Sequence, residues 1–283
     1  METLAIIVSG IGHACWDYQL NWMSLKDPDA SILHMHWLRL TFMMFFLQPF
    51  SYNIPISKKT KWWWIRFSFF GFIIPSIMYT HAVIWTNYRI SVSFQSFIPI
   101  LVVLHSKQIL DERRCFSLIL TMFGTLCIWS SLTWRKELWM VWAALIASII
   151  QVISLSEFFI MLSELKNNKL GAIARGLTLS VIFMFIIMVI FTPSHFNTIL
   201  FDKFDKWLYI LIASAVATGI KYGLIAYFSN RMTADGVAIF ECVHPIATLF
   251  ADILRGKDIF EWEDVAALTF FSIGWILYPK MNI

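Results

Sequence analysis

The chain has 283 residues, of which 59% are hydrophobic and only 14% are charged, with a net charge of +4 and a mean hydropathy of +0.69. A water-soluble domain usually carries about 25% charged residues, so this composition indicates an integral membrane protein. Each transmembrane helix needs roughly 20 apolar residues, which leaves room for about ten spans. A secreted domain, a nucleic-acid-binding protein and a disordered chain are excluded.

Apolar segments separated by short polar links recur along the whole sequence. Runs of this length exceed the ten-residue alternating strands of a membrane barrel, and helices satisfy their own backbone hydrogen bonds in lipid. The predicted fold is therefore an all-α integral membrane bundle with ten transmembrane helices. We predict these helices over residues 3–22, 33–52, 63–86, 91–108, 115–132, 138–162, 170–192, 206–228, 234–254 and 263–279.

The distribution of basic residues predicts the orientation. With the N-terminus inside, the links that face the cytoplasm hold more Lys and Arg than the outer links, as the positive-inside rule requires. The segment KKTKWWWIR (58–66) supports this arrangement, because lysines suit the lipid headgroups and tryptophans suit the membrane interface. We expect a bacterial cytoplasmic (inner) membrane, with both termini in the cytoplasm.

Residues 91–129 and 234–277 form an internal repeat. Each stretch holds a mid-span proline, an acidic residue thirteen positions later and a glycine in the next helix: Pro99, Glu112 and Gly124, then Pro245, Asp258 and Gly274. The repeat unit is five helices, and because five is odd the second copy enters the membrane from the opposite face. Inverted repeats of this kind are typical of secondary carriers. The predicted repeats are residues 1–133 and 134–283.

A proline-bearing fourth helix, a charged turn and a glycine-containing fifth helix, present twice, resemble the drug/metabolite transporter superfamily (EamA-type ten-helix secondary transporters). The segment GHACWDYQLNW (12–22) is similar to the HAxWN-type first helix of some bacterial members, with Asp17 where those often have asparagine. The resemblance implies export or exchange of small organic solutes through a central cavity.

Polar and aromatic side chains inside the predicted helices are the candidates for a substrate site, since a charge at mid-bilayer costs at least ~2.5–3.5 kcal/mol. His13 and Asp17 lie one turn apart on one helical face. Gln95 precedes a proline by four residues and His244 directly precedes one, and disturbed helices line carrier sites. The predicted substrate-binding residues are His13, Trp16, Asp17, Tyr79, Gln95, Lys221, Tyr222, Glu241 and His244.

Some of these charges have a structural interpretation. An acidic residue late in the first helix and an arginine early in the second recur in both halves, so Asp17–Arg39 and Glu157–Arg175 are predicted as structural ion pairs. Asp17 has the alternative role of holding a cationic group or a proton.

Lys221 and Glu241 lie in consecutive predicted helices at a similar depth. Two interpretations stay open for them. The pair is either a permanent ion pair or a contact that breaks when substrate or a proton arrives.

The leading interpretation is a secondary active transporter that moves an amino acid, an amine or a similar zwitterion or cation by alternating access. The second is the same fold carrying an anionic metabolite, such as a nucleotide sugar or phosphate ester, bound by Lys221 and Arg175. The third is a structural subunit or a membrane enzyme.

The sequence shows no nucleophile elbow, phosphate-binding glycine loop or metal-ligand spacing, so we expect no enzymatic activity, no cofactor and no metal. Protons are the candidate coupling ion, and a homodimer is one candidate assembly.

Overall fold

The computed structural model describes residue 10 and residues 32–51, 59–86, 88–107, 110–130, 137–191, 204–254 and 261–278. Within these ranges the chain forms helices joined by short turns, without β-strands. The helices are α1 (Ile32–Ser51), α2 (Lys61–Trp85), α3 (Tyr88–Ser106), α4 (Glu112–Ser130), α5 (Leu138–Ser163), α6 (Lys169–Phe191), α7 (Phe204–Phe228), α8 (Ala234–Ala238, Ile239–Cys242 and Val243–Leu254) and α9 (Trp262–Leu277).

The all-helical class is confirmed over this part of the chain. Five of the described segments are long and apolar enough to cross a membrane: α2, α3, α5, α6 and the Leu211–Phe228 part of α7. The nine helices begin and end within three residues of nine predicted spans. The predicted span 3–22 lies outside the described residues, apart from Gly10. The number of ten spans and the inverted repeat stay predictions.

Helix α5 shows why these helices suit lipid rather than water. Its exposed face is apolar and follows helical spacing: Trp139, Trp142, Ile146, Ile149, Ile150 and Ile153. Its buried face carries Ser148, Gln151 and Ser154. A soluble helix turns its apolar stripe toward the core and its polar residues outward. The reversal in α5 indicates a helix that faces hydrocarbon on one side and a polar interior on the other.

Helices α3 and α8 are interrupted in the same way. Each contains a four-residue 3-10 turn, Phe94–Phe97 in α3 and Ile239–Cys242 in α8, followed within three residues by Pro99 or Pro245. Proline has no backbone N–H and its ring clashes with the carbonyl one turn earlier, so the α-helical ladder cannot continue through it undisturbed. Both turns are buried in the interior of the bundle.

The two interrupted helices run antiparallel. The first part of α3, Tyr88–Ser93, packs against the last part of α8, Val243–Leu254. The last part of α3, Ile98–Ser106, packs against the first part of α8, Ala234–Ala238. Their 3-10 turns therefore meet near the middle of the pair.

Helix α2 has a π-helical turn over Phe69–Ile73. Gly71 in this turn allows the ring of Phe158 on α5 to approach, since a Cβ at Gly71 would lie 2.6 Å from Phe158 Cδ2. Turns of this type are rare and occur often at functional sites. Helix α2 accordingly carries an irregular segment close to α5.

Helices α4 and α9 approach each other closely through small residues. A Cβ at Gly274 would lie 2.8 Å from Thr121 Cγ2 and 2.9 Å from the carbonyl oxygen of Ser117. The hydroxyl of Ser117 donates to the carbonyl of Gly274, which anchors the two backbones. Small residues at such contacts let transmembrane helices pack at backbone distance.

We expect Gly274→Ala to lower the apparent melting temperature of the detergent-purified protein. The added methyl would collide with backbone atoms of α4, and overpacking of this kind typically costs about 1–3 kcal/mol. Gly223→Ala is the matched control, because nothing lies within 4 Å of a Cβ at Gly223. That control should leave the melting temperature unchanged or raise it, since alanine favours helix over glycine. Equal effects at the two positions would contradict the close α4–α9 contact.

Candidate functional site

A polar cavity lies among six helices, α1, α2, α3, α5, α7 and α8. Its volume is about 60 Å³, against the ~10–15 Å³ that one water molecule needs. The cavity is therefore large enough for several waters or for the polar part of a small solute. Its polar lining consists of His36, Arg39, Ser76, Tyr79, Gln95, Gln151, Thr218, Lys221, Tyr222 and Glu241.

Lys221 and Glu241 form an ion pair in the cavity wall. The Nζ of Lys221 lies 2.6 Å from Oε2 of Glu241, and the Glu241 side chain is only 2% exposed. Glu241 belongs to the 3-10 turn of α8, and Lys221 comes from the second half of α7. A charge this deeply buried is stable only when it is paired, so the two side chains depend on each other.

Gln95 and His244 are also brought together, across the crossing of α3 and α8. The Nδ1 of His244 lies 2.7 Å from Oε1 of Gln95, and both side chains are buried. Gln95 lines the cavity, whereas His244 stands behind it, with its ring 6.1 Å from that of Tyr79. His244 therefore orients two lining residues and is not itself among the lining side chains.

Tyr222 links α7 to the irregular turn of α2. Its hydroxyl donates to the carbonyl of Gly71 at 3.2 Å, and its ring contacts those of Phe72 and Phe158. The residue four positions after Gly71 is Pro75, which has no N–H for this carbonyl, so the phenol supplies a donor. Of the predicted aromatic site residues, Tyr79 and Tyr222 line the cavity, while Trp16 and the neighbouring prediction His13 lie outside the described residues.

Five polar lining residues were absent from the predicted substrate site: His36, Arg39, Ser76, Gln151 and Thr218. Arg39, which was assigned only to an ion pair with Asp17, donates to Thr218 across the cavity wall; Asp17 lies outside the described residues. His36 lies one turn before Arg39 and contacts Thr80. Gln151 is a single amide in an apolar helix. The i, i+3 spacing of His36 and Arg39 was a usable signal for a shared polar face.

The predicted Glu157–Arg175 ion pair is replaced by two other contacts. Glu157 pairs with Arg66 of α2 and lies 3.6 Å from His105 of α3. Arg175 instead lies over the ring of Trp64, 4.7 Å from its centroid. Arg175 faces the tryptophan-rich start of α2, where a cation–π contact leaves the guanidinium partly hydrated. These groups lie away from the cavity.

No protein-family model matches the chain, and no curated protein matches it as a relative. A solved crystal structure, described only as that of a protein, superposes on the chain with a TM-score of 0.69 at 12% sequence identity. The superposition covers 97% of this chain and 96% of the other. At this identity the likeness concerns the fold alone, and it extends over almost the full length of both proteins.

We expect Lys221→Gln to destabilise the protein strongly, because it leaves the carboxylate of Glu241 buried without its partner. Removing one member of a buried pair typically costs about 3–5 kcal/mol, whereas the double variant Lys221→Met, Glu241→Gln should recover much of that loss. Melting temperatures in detergent measure both. Lys59→Gln is the matched control, since the Lys59–Glu164 pair (3.0 Å) lies at the surface and should contribute about 0–1 kcal/mol. If Lys221→Gln had the same melting temperature as Lys59→Gln, the buried Lys221–Glu241 pair would not stabilise the protein as expected.

Proposed function

We propose that the chain is a secondary active transporter of the drug/metabolite transporter type, with ten transmembrane helices in two inverted five-helix repeats. The observation that carries the proposal is the polar cavity at the crossing of two interrupted helices. Helices α1, α2 and α3 line it from residues 1–133, and α5, α7 and α8 line it from residues 134–283. Carriers with inverted repeats place their substrate site between the repeats, at discontinuous helices.

The inverted repeat has two further supports in the geometry. Helices α3 and α8, which are equivalent in the proposed repeats, run antiparallel, as inversion requires. Gln95 and Glu241 both lie four residues before the proline and both line the cavity. The two halves thus contribute equivalent positions to one site.

The charges of the cavity favour a small zwitterion such as an amino acid. Among the described lining residues, Arg39 and Lys221 suit a carboxylate, and Glu241 suits an ammonium group. The rings of Tyr79 and Tyr222 add a surface for the solute's apolar or cationic part. We propose that such a solute moves by alternating access, with protons as the coupling ion and the bacterial inner membrane as the location.

The alternative substrate class is an anionic metabolite. Two cationic side chains against one carboxylate among the described lining residues favour it. Arg175, which this interpretation assigned to the anion, lies over Trp64 and is replaced in that role by Arg39.

The test is counterflow in proteoliposomes, which detects solute exchange without an imposed ion gradient. Candidate solutes come from a thermal-stability panel of amino acids, amines, nucleotide sugars and phosphorylated metabolites, because a ligand at a hundredfold its Kd stabilises the fold by about 2.7 kcal/mol. We expect labelled amino acids to exchange, Glu241→Gln to reduce exchange at least tenfold, and Lys59→Gln to leave it unchanged. Exchange of anions that depends on Lys221 and Arg39, but not on Glu241, would favour the alternative. A folded protein that exchanges no solute of the panel would count against the transporter.

A further inference from the structure

Several polar side chains of the cavity have hydrogen-bond partners within the bundle. Glu241 accepts from Lys221, Gln95 contacts His244, and Tyr222 donates to a carbonyl of α2. Gln151 departs from this pattern. Its side chain is 2% exposed and lines the cavity, yet its Oε1 accepts no hydrogen bond from any described residue. A buried acceptor without a donor is unfavourable, so a solute that donates a hydrogen bond to this oxygen would be favoured in the cavity.

We infer that Gln151 is the residue that recognises the ammonium group of the substrate, which deepens the proposed function and rests on it. Glu241, on α8, supplies a carboxylate in the same cavity. An ammonium group has three donors and no acceptor, so it can serve a carboxylate and a carboxamide oxygen together. The site is therefore specific for a primary ammonium, with the solute's carboxylate directed to Arg39 or Lys221.

Three small probes separate the two charged ends of such a solute: β-alanine carries both, ethylammonium carries the cation and propionate carries the anion. Apparent affinities follow from the shift in melting temperature of the full chain against probe concentration. We expect β-alanine and ethylammonium to stabilise the wild type. Gln151→Leu should weaken the affinity for both of these probes by about tenfold or more, as expected for loss of a hydrogen bond to a charged group. The affinity for propionate should not change.

Two further variants keep the test decisive. Gln151→Glu retains an acceptor at the same place and should retain ethylammonium binding. Ser148→Ala is the matched control, because Ser148 lies one turn earlier on α5, is buried and has an Oγ without a described partner, but does not line the cavity. The inference is overturned if Gln151→Leu binds the ammonium probes as the wild type does, or if it loses affinity for propionate instead of for the ammonium probes. It is also overturned if the wild type binds neither ammonium probe. Counterflow of other solutes in those cases would leave the transporter itself standing.

A second, independent observation concerns two ion-pair clusters. At the start of α3, the Nε of Arg89 lies 2.8 Å from Oδ2 of Asp252 and its Nη1 lies 3.2 Å from Oδ1 of Asp264. The hydroxyl of Tyr88 donates to Asp252. At the start of α8, the Nη1 of Arg114 lies 3.5 Å from Oδ2 of Asp235. The carboxylates of Asp252 and Asp264 are buried.

The Arg114 cluster repeats the features of the first. The buried carboxylate of Asp235 also accepts from the hydroxyl of Tyr278. Each cluster thus combines an arginine, a buried aspartate and a tyrosine hydroxyl, and each joins residues 1–133 to residues 134–283.

The two clusters are one contact made twice, with the charges exchanged. Arg89 lies ten residues before Pro99, and Asp235 lies ten residues before Pro245. Likewise, Arg114 and Asp264 each lie ten residues before the glycine of their helix, Gly124 or Gly274. An arginine in α3 thus meets an aspartate in α9, while an aspartate in α8 meets an arginine in α4.

The clusters lie at opposite ends of the bundle, with the cavity between them. Asp235 and Asp252 are seventeen residues apart on α8, which at 1.5 Å per residue separates them by about 25 Å. That distance approaches the ~30 Å thickness of the hydrocarbon core. Glu241 of the cavity lies between them on the same helix.

The geometry points to a pair of latches, one at each entrance of the cavity, that open in turn during transport. Breaking the Arg89 cluster should open the cavity to one side of the membrane, and breaking the Arg114–Asp235 pair should open it to the other. This assignment rests on alternating access and does not depend on the identity of the solute.

A membrane-impermeant thiol reagent tests the latches without any substrate. The reporter is Thr218→Cys, a lining position, in a background whose four native cysteines are replaced, reconstituted in oriented proteoliposomes. We expect Arg89→Gln to raise the labelling rate several-fold from one side only, and Arg114→Gln to raise it from the opposite side only. Lys59→Gln, which breaks a surface pair, should change neither rate.

The exchange variant Arg114→Asp, Asp235→Arg guards against a folding defect, because it restores the pair with reversed signs and should return labelling to the level of the parent. Increased labelling from the same side in both single variants, or no increase in either, overturns the latches. If the labelling variants behave as expected but the wild-type protein shows no counterflow, that result would count against the proposed transport activity alone.

Discussion

Every backbone polar group of a helix in lipid must be satisfied within the protein, and α3 and α8 meet this constraint while both are interrupted by proline. Irregular backbone is tolerated only where protein or a polar cavity surrounds it, so the two 3-10 turns must lie inside the bundle. That requirement places Gln95 and Glu241 in the interior. The position of the cavity, and the choice of helices that surround it, follow from where these two helices break.

The sequence predicted the helices well because the signal is strong. Long, mostly apolar segments bounded by polar links leave little freedom in lipid, and nine predicted spans coincide with described helices. The prolines and their spacing also identified Gln95, which lines the cavity, and His244, which contacts Gln95 but is not among the lining residues. The Lys221–Glu241 pair was likewise foreseen, since two opposite charges in consecutive spans have few other ways to be stabilised.

Side-chain partners between distant helices were harder to predict. Glu157 and Arg175 are each satisfied, but by Arg66 and by the ring of Trp64, because which helix face meets which depends on packing that sequence spacing does not encode. Gln151 gave no signal for a similar reason. One amide in an apolar helix is visible in the sequence, but its burial and unsatisfied oxygen appear only when the six helices are assembled.

Alternating access requires two end states of similar free energy, since a carrier trapped in one state does not cycle. The two proposed latches have related compositions, so opening either end should cost a comparable free energy. The arginine and the aspartate exchange places between the two latches, which keeps these free energies similar although the two sequences differ. The balance is not complete, because Arg89 meets two buried carboxylates whereas Arg114 meets buried Asp235 and exposed Asp111. In the proposed cycle the Arg89 end is therefore the harder one to open, and substrate binding must offset that difference. A zwitterion that draws on Lys221 and Glu241 would do so by loosening their pair, which lies between the two ends.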